Sequence, residues 1–73
     1  MINTGRHAVI FTIVAHEDTH AAELDERAGE VWDRRFADSD CTGRVAVPRL
    51  ISSEPHPTMS RHVTHTYEGV MWD

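Results

Sequence analysis

Residues 6 to 15, "RHAVIFTIVA", decide how the chain folds. Val, Ile, Phe and Thr dominate the run, and side chains that are stiff or bulky next to the backbone suit a pleated surface better than a helix. A strand is therefore expected here. Alternation sends Ala8, Ile10 and Val14 to one face and Val9, Phe11 and Ile13 to the other. Both rows are apolar, so both faces call for cover. In a chain of 73 residues, that implies a central strand or a buried subunit contact.

After this run the period changes. In residues 18 to 37, "DTHAAELDERAGEVWDRRFA", the positions Ala21, Leu24, Ala28, Val31, Trp32 and Arg35 recur at helical spacing. Glu23, Glu26, Glu30 and Arg34 fall largely on the opposite side, which predicts an amphipathic helix. Asp18 or Thr19 is placed to cap its start, and the early carboxylates suit the positive end of its dipole. Gly29 costs about 1 kcal/mol relative to alanine in the middle of a helix, with no reason for it visible in the sequence.

Beyond the helix, "ADSDCTG" (37 to 43) is a polar connection. "RVAVPRLIS" (44 to 52) is expected as a strand that Pro48 interrupts or confines to an edge. "SSEPHPT" (52 to 58) is expected as a stiff turn. In "MSRHVTHTYEGVMW" (59 to 72), Met59, Arg61, Val63, His65 and Tyr67 alternate with Ser60, His62, Thr64, Thr66 and Glu68, a third strand forming a hairpin with the second.

The expected fold is thus α+β: a single small β-α-β-β domain over residues 1–73, with one helix packed on a three-stranded sheet. A right-handed crossover would lead from the first strand to a parallel neighbour. Phe11, Ile13 and the row of Val63 are not expected to fit together beneath one helix. One face of the sheet is then left to meet another copy or another protein.

Size and charge narrow the functional classes. A domain this short buries only about 60% of its unfolded surface and gains from a staple: a disulfide, a metal or self-association. The single cysteine, Cys41, excludes an internal disulfide and makes the cytoplasm the expected compartment. The net charge is −5 with neutral histidines, and nine of the twelve carboxylates lie between Glu17 and Asp40. Such a segment repels phosphate backbones, so no nucleic-acid partner is expected. The apolar run 8 to 15 is too short to cross a bilayer, so no membrane partner is expected either. All seven cations are arginine and glutamine is absent, the bias of a GC-rich coding sequence. A phage or virus accessory or structural protein would fit that composition and length.

One local motif suggests chemistry. "IVAHEDTHA" (13 to 21) contains H-E-x-x-H and resembles the motif helix of the zincin metallopeptidases. The resemblance covers about nine residues. It implies a helix on which His16 and His20 hold zinc one turn apart while Glu17 activates the bound water as general base. Extending the set by one turn adds Glu23 as a third ligand, at i, i+4 and i+7. Against a peptidase, the residues before His16 are those of a strand, which would put the two histidines out of register. Glu26, the alternative third ligand, points about 120° away from His20 on a continuous helix. The second histidine group, His56, His62 and His65 in "HPTMSRHVTH", does not chelate together, since His62 and His65 on one strand face opposite ways. Cys41 lies in an acidic polar loop, "DSDCTG", surroundings that do not favour a reactive thiolate.

The sequence therefore favours a non-enzymatic protein-protein interaction or assembly module, acting as a homo-oligomer or as a subunit of a larger assembly. Phe11, Ile13, Trp32, Tyr67 and Trp72 are its candidate interface residues, with no cofactor required. The first strand, or the C-terminal strand with Trp72, is the expected contact. Two alternatives remain. One is a minimal zinc-dependent hydrolase built on Glu17 with His16, His20 and Glu23; the other is an acidic decoy or inhibitor whose carboxylate-rich helix engages a basic partner.

Overall fold

The computed structural model describes residues 5–73. Its elements in chain order are β1 (His7–His16), α1 (Ala21–Ala37), β2 (Gly43–Arg44), β3 (Arg49–Pro55) and β4 (His62–Trp72). The α+β class, with one helix packed on a sheet, is as expected. The sheet, however, has four strands, all of its pairings are antiparallel, and its centre is β4 rather than β1.

β4 is long enough, at eleven residues, to be paired along both sides. β1 runs along one side for its whole length, from His7 opposite Met71 to His16 opposite His62. The other side is shared: β2 pairs with Met71 and Trp72, and β3 pairs with Val63 to Glu68. The parallel crossover expected from β1 is therefore absent, because the helix returns the chain to strands that meet β4 and not β1. Pro48 lies between β2 and β3 and divides what was expected to be one strand, since it has no N–H to give to a ladder. The expected turn at 52–58 is corrected at its start, where Ser52, Ser53 and Glu54 continue β3 as far as Pro55.

The helix begins at Ala21 with His20 as its N-cap, and no side chain caps it. Neither Asp18 nor Thr19 fills that role, because Asp18 belongs to the turn that follows β1 and the extended residue just ahead of the helix is His20. Leu24, Ala28 and Trp32 are buried, with Val31 and Phe36 packed at the margin of the core. Ala21 and Arg35, also placed on the stripe, are exposed, although the Arg35 guanidinium carbon sits 5.9 Å from the Phe11 ring centroid.

Three aromatic residues order the core. Phe11 stacks between Trp32, at 6.2 Å, and Tyr67, at 5.5 Å between ring centroids. Trp32 is 0% exposed, and its indole N–H donates to the Val45 carbonyl oxygen at 2.8 Å, so its only polar atom is satisfied where water cannot reach. Gly69 makes this possible: a Cβ there would lie 2.5 Å from the Trp32 ring. Ile13, Ala15 and Met71 complete the buried set. Directly opposite residues of antiparallel strands share a face, so Phe11 and Ile13 lie with Tyr67, His65 and Val63 on the helix side. Val63 and His65 are only partly buried and lie outside the core cluster, so the row shares the face of Phe11 and Ile13 without joining the core beneath the helix.

Candidate functional site

The H-E-x-x-H segment is not a helix. His16 ends β1, Glu17 and Asp18 form a turn, His20 caps α1, and Glu23 lies in the first helical turn. The zincin arrangement needs one continuous helix, and the β-branched run ahead of His16 extends instead to pair with β4. The motif residues are engaged otherwise. The Glu17 carboxylate accepts from Arg61 Nε at 2.8 Å, and the Glu17 N–H donates to the Arg61 carbonyl at 2.8 Å. Arg61 Nη2 also lies 3.5 Å from Asp18, and the His16 ring meets His62 edge-on at 5.4 Å. These contacts clasp the β1–α1 turn to the β3–β4 turn. Arg61 itself adopts φ 60°, which ends the expected run of 59 to 72 as a strand and starts β4 at His62.

His16, His20 and Glu23 do not gather as a ligand set among the described residues. The set that does gather is His7, Cys41 and Asp73, whose ligand atoms all lie within 4.8 Å of one another at the opposite end of β1. No local spacing could have indicated it, since its members come from three distant parts of the sequence. One further pairing went unread in the sequence. Ser53 Oγ and His65 Nδ1 are 2.8 Å apart across β3 and β4. Among the described residues no carboxylate orients the His65 ring, so the pair is a cross-strand hydrogen bond without the third member that a nucleophilic relay needs.

Most of the expected interface residues are occupied within the chain. Phe11, Ile13 and Tyr67 are buried beneath the helix that carries the equally buried Trp32, and Trp72 is half-buried beside Gly43. Burial also pushes the Tyr67 phenol above its ordinary pKa, and the charge of Asp25 adds to the effect. The exposed apolar residues of β1 belong to the opposite row: Ile10 is 56% and Val14 39% exposed. They share the open face with Ala8 and Thr12, and with Val70, Glu68, Thr66 and Thr64 of β4. Glu68 is paired there with Arg49 at 3.3 Å. The edge of β1 away from β4 has no strand beside it among the described residues.

The carboxylates of α1 form an exposed outer face, partly neutralised by Arg27 on Glu23 at 3.1 Å and Arg44 on Asp33 at 2.7 Å. A groove of about 530 Å³ lies between the helix and the sheet, floored by Val9 and Met71 and walled by Val31, Arg34 and Arg35. No described helix is long and apolar enough to cross a membrane. Compared with protein-family models, with curated proteins and with solved structures, the chain matches none.

Proposed function

We propose that the chain is a small non-enzymatic assembly module that associates with a second copy of itself through the free edge of β1. The observation that carries this is a ten-residue edge strand with no proline, no Arg, Asp or Glu and no bulge between His7 and His16. Its unpaired backbone groups form a template for another strand, and edges of this kind are normally protected. The adjoining open face exposes Ile10 and Val14, which association would draw out of water.

Symmetry supports a second copy as the occupant. About Thr12 the strand places apolar residues opposite apolar ones, Val9 and Phe11 with Ala15 and Ile13 on one face and Ile10 with Val14 on the other, so its centre can meet its own reversed copy. In an isologous pair the two-fold axis stands normal to the joined sheet, and opposite residues must lie on the same face. An axis through Thr12 satisfies this. It sets Phe11 against Ile13 of the second copy on the helix side, and Ile10 against Val14 of the second copy on the open side. One continuous antiparallel sheet results, with both helices on the same face.

Sedimentation equilibrium at micromolar concentration tests the proposal. The expected mass is twice the 8.3 kDa of the chain, with a melting temperature that rises with protein concentration. A monomer that unfolds cooperatively at a concentration-independent temperature would overturn it.

A further inference from the structure

We propose that His7, Cys41 and Asp73 form a binding site for a zinc ion, at the end of the sheet opposite the H-E-x-x-H segment. Their imidazole, thiol and carboxylate ligand atoms lie within 4.8 Å of one another. In a tetrahedral zinc site, ligand atoms stand roughly 3.4–3.7 Å apart, given metal–ligand bonds of about 2.0–2.3 Å. Closing the set shortens the separations by at most roughly 1.1–1.4 Å, and His7 and Asp73 are exposed enough to move that far.

The donor set selects the ion. A thiolate is too soft for magnesium or calcium, which take oxygen ligands, whereas sulfur, nitrogen and oxygen together suit a borderline divalent ion. On binding, the Cys41 thiol gives its proton to solvent and the thiolate sulfur donates to the metal. Water can fill the fourth position.

The surroundings shape the site. Gly5 adopts φ +59° and is buried, and a Cβ on it would collide with the Asp73 carboxylate and stand 3.3 Å from His7 Nε2. The bare backbone of Gly5 thus lies directly against two of the three ligands. The Cys41 N–H donates to Ser39 Oγ at 3.3 Å, fixing the loop that presents the thiol. His7 begins β1, Cys41 lies between α1 and β2, and Asp73 follows β4. One ion would therefore tie three elements together in a domain that has no disulfide to do so.

Cobalt(II) serves as the probe, added to protein stripped with a chelator, because a cobalt–thiolate bond gives a charge-transfer band in the near ultraviolet. We expect one equivalent to bind with that band, and His20→Ala to behave as the parent does. Cys41→Ser should lose the band. Zinc competing against a coloured chelator should bind at least about 100-fold more weakly to His7→Ala or Cys41→Ser, since even the groups that support a ligand are worth 10- to 100-fold. Zinc should also raise the melting temperature of the parent and leave that of Cys41→Ser unchanged. Circular dichroism shows which variants are folded, and Asp73→Asn supplies an exposed-ligand variant should Cys41→Ser fail to fold. No cobalt–thiolate band in the parent protein, or a zinc affinity that survives loss of His7 and of Asp73 but vanishes with His20→Ala, would overturn the proposal.

Discussion

The two edges of the sheet are built in opposite ways. The outer edge of β3 is blunted: Pro48 precedes it, Pro55 ends it, a bulge interrupts its register between Leu50 and Ser52, and Arg49 and Glu54 place charges along it. Each is a device that discourages a further strand from adding to a sheet. β1 has none of them, keeping unbroken register with β4 over ten residues. The contrast extends to the core. β1 contributes Phe11, Ile13 and Ala15 to the buried set, whereas every residue of β3 is exposed. One edge is thus a protected flap, and the other supplies three of the eight buried core residues while no strand lies along its outer side among the described residues.

The largest expected effect tests this division of labour. Phe11→Ala removes the ring that stacks on both Trp32 and Tyr67, and should lower the unfolding free energy by about 3–5 kcal/mol. That is a large share of the stability of a domain this size. The register places Leu50 across β4 from Phe11, both opposite Tyr67, yet Leu50 is 48% exposed. Leu50→Ala should therefore cost under about 1 kcal/mol. Urea denaturation of the two variants compares the strands directly. Equal losses would mean that β3 shares the core as fully as β1 does.

Half of this contrast was legible in the sequence. The two apolar rows of β1 and the stripe of Leu24, Ala28 and Trp32 follow from side-chain period alone, which depends on near neighbours. The position of β4 does not, because any alternating strand can sit at an edge or at the centre. Only pairing between distant residues decides, here His7 with Met71 and Arg49 with Glu68. The same limit applies to the candidate sites. H-E-x-x-H was visible as a local spacing but folds into a strand end, a turn and a cap, while His7, Cys41 and Asp73 meet with no spacing to announce them. Gly29 has no structural account either, since a Cβ there would touch nothing within 4 Å.

A smaller effect should separate the edges in solution. Ile10 is exposed on the open face of β1, so Ile10→Lys leaves the chain's own core intact. In the proposed pair, however, it sets an ammonium against Val14 of the second copy, twice over because of the two-fold axis. Sedimentation equilibrium should show association weakened by at least about tenfold, equivalent to about 1.4 kcal/mol. Ser52→Lys makes the corresponding change on β3 and should leave the mass of the assembly as it was. If Ser52→Lys dissociates the protein and Ile10→Lys does not, β3 is the associating edge, and the protective reading of its prolines and bulge fails.

The smallest effect at neutral pH lies between the two edges, on Tyr67 of the central strand. Its pKa is raised from an ordinary value of 10.0, first by burial and second by the negative charge of Asp25. A raised pKa means that the folded state holds the phenol proton more tightly than the unfolded state does. Below the unfolded pKa both states keep the proton, and the full stability is present. As pH climbs through the unfolded and then the folded pKa, the unfolded chain loses the proton first, and stability falls. Urea midpoints measured upward from neutral pH should accordingly be flat as far as this residue is concerned, then decline from about pH 10. In Tyr67→Phe the ring still stacks on Phe11 but has no proton to lose, so the decline should be shallower than in the parent. Matching declines in the two proteins would show that the phenol is hydrated when folded and that its proton is held no more tightly there than in the unfolded chain.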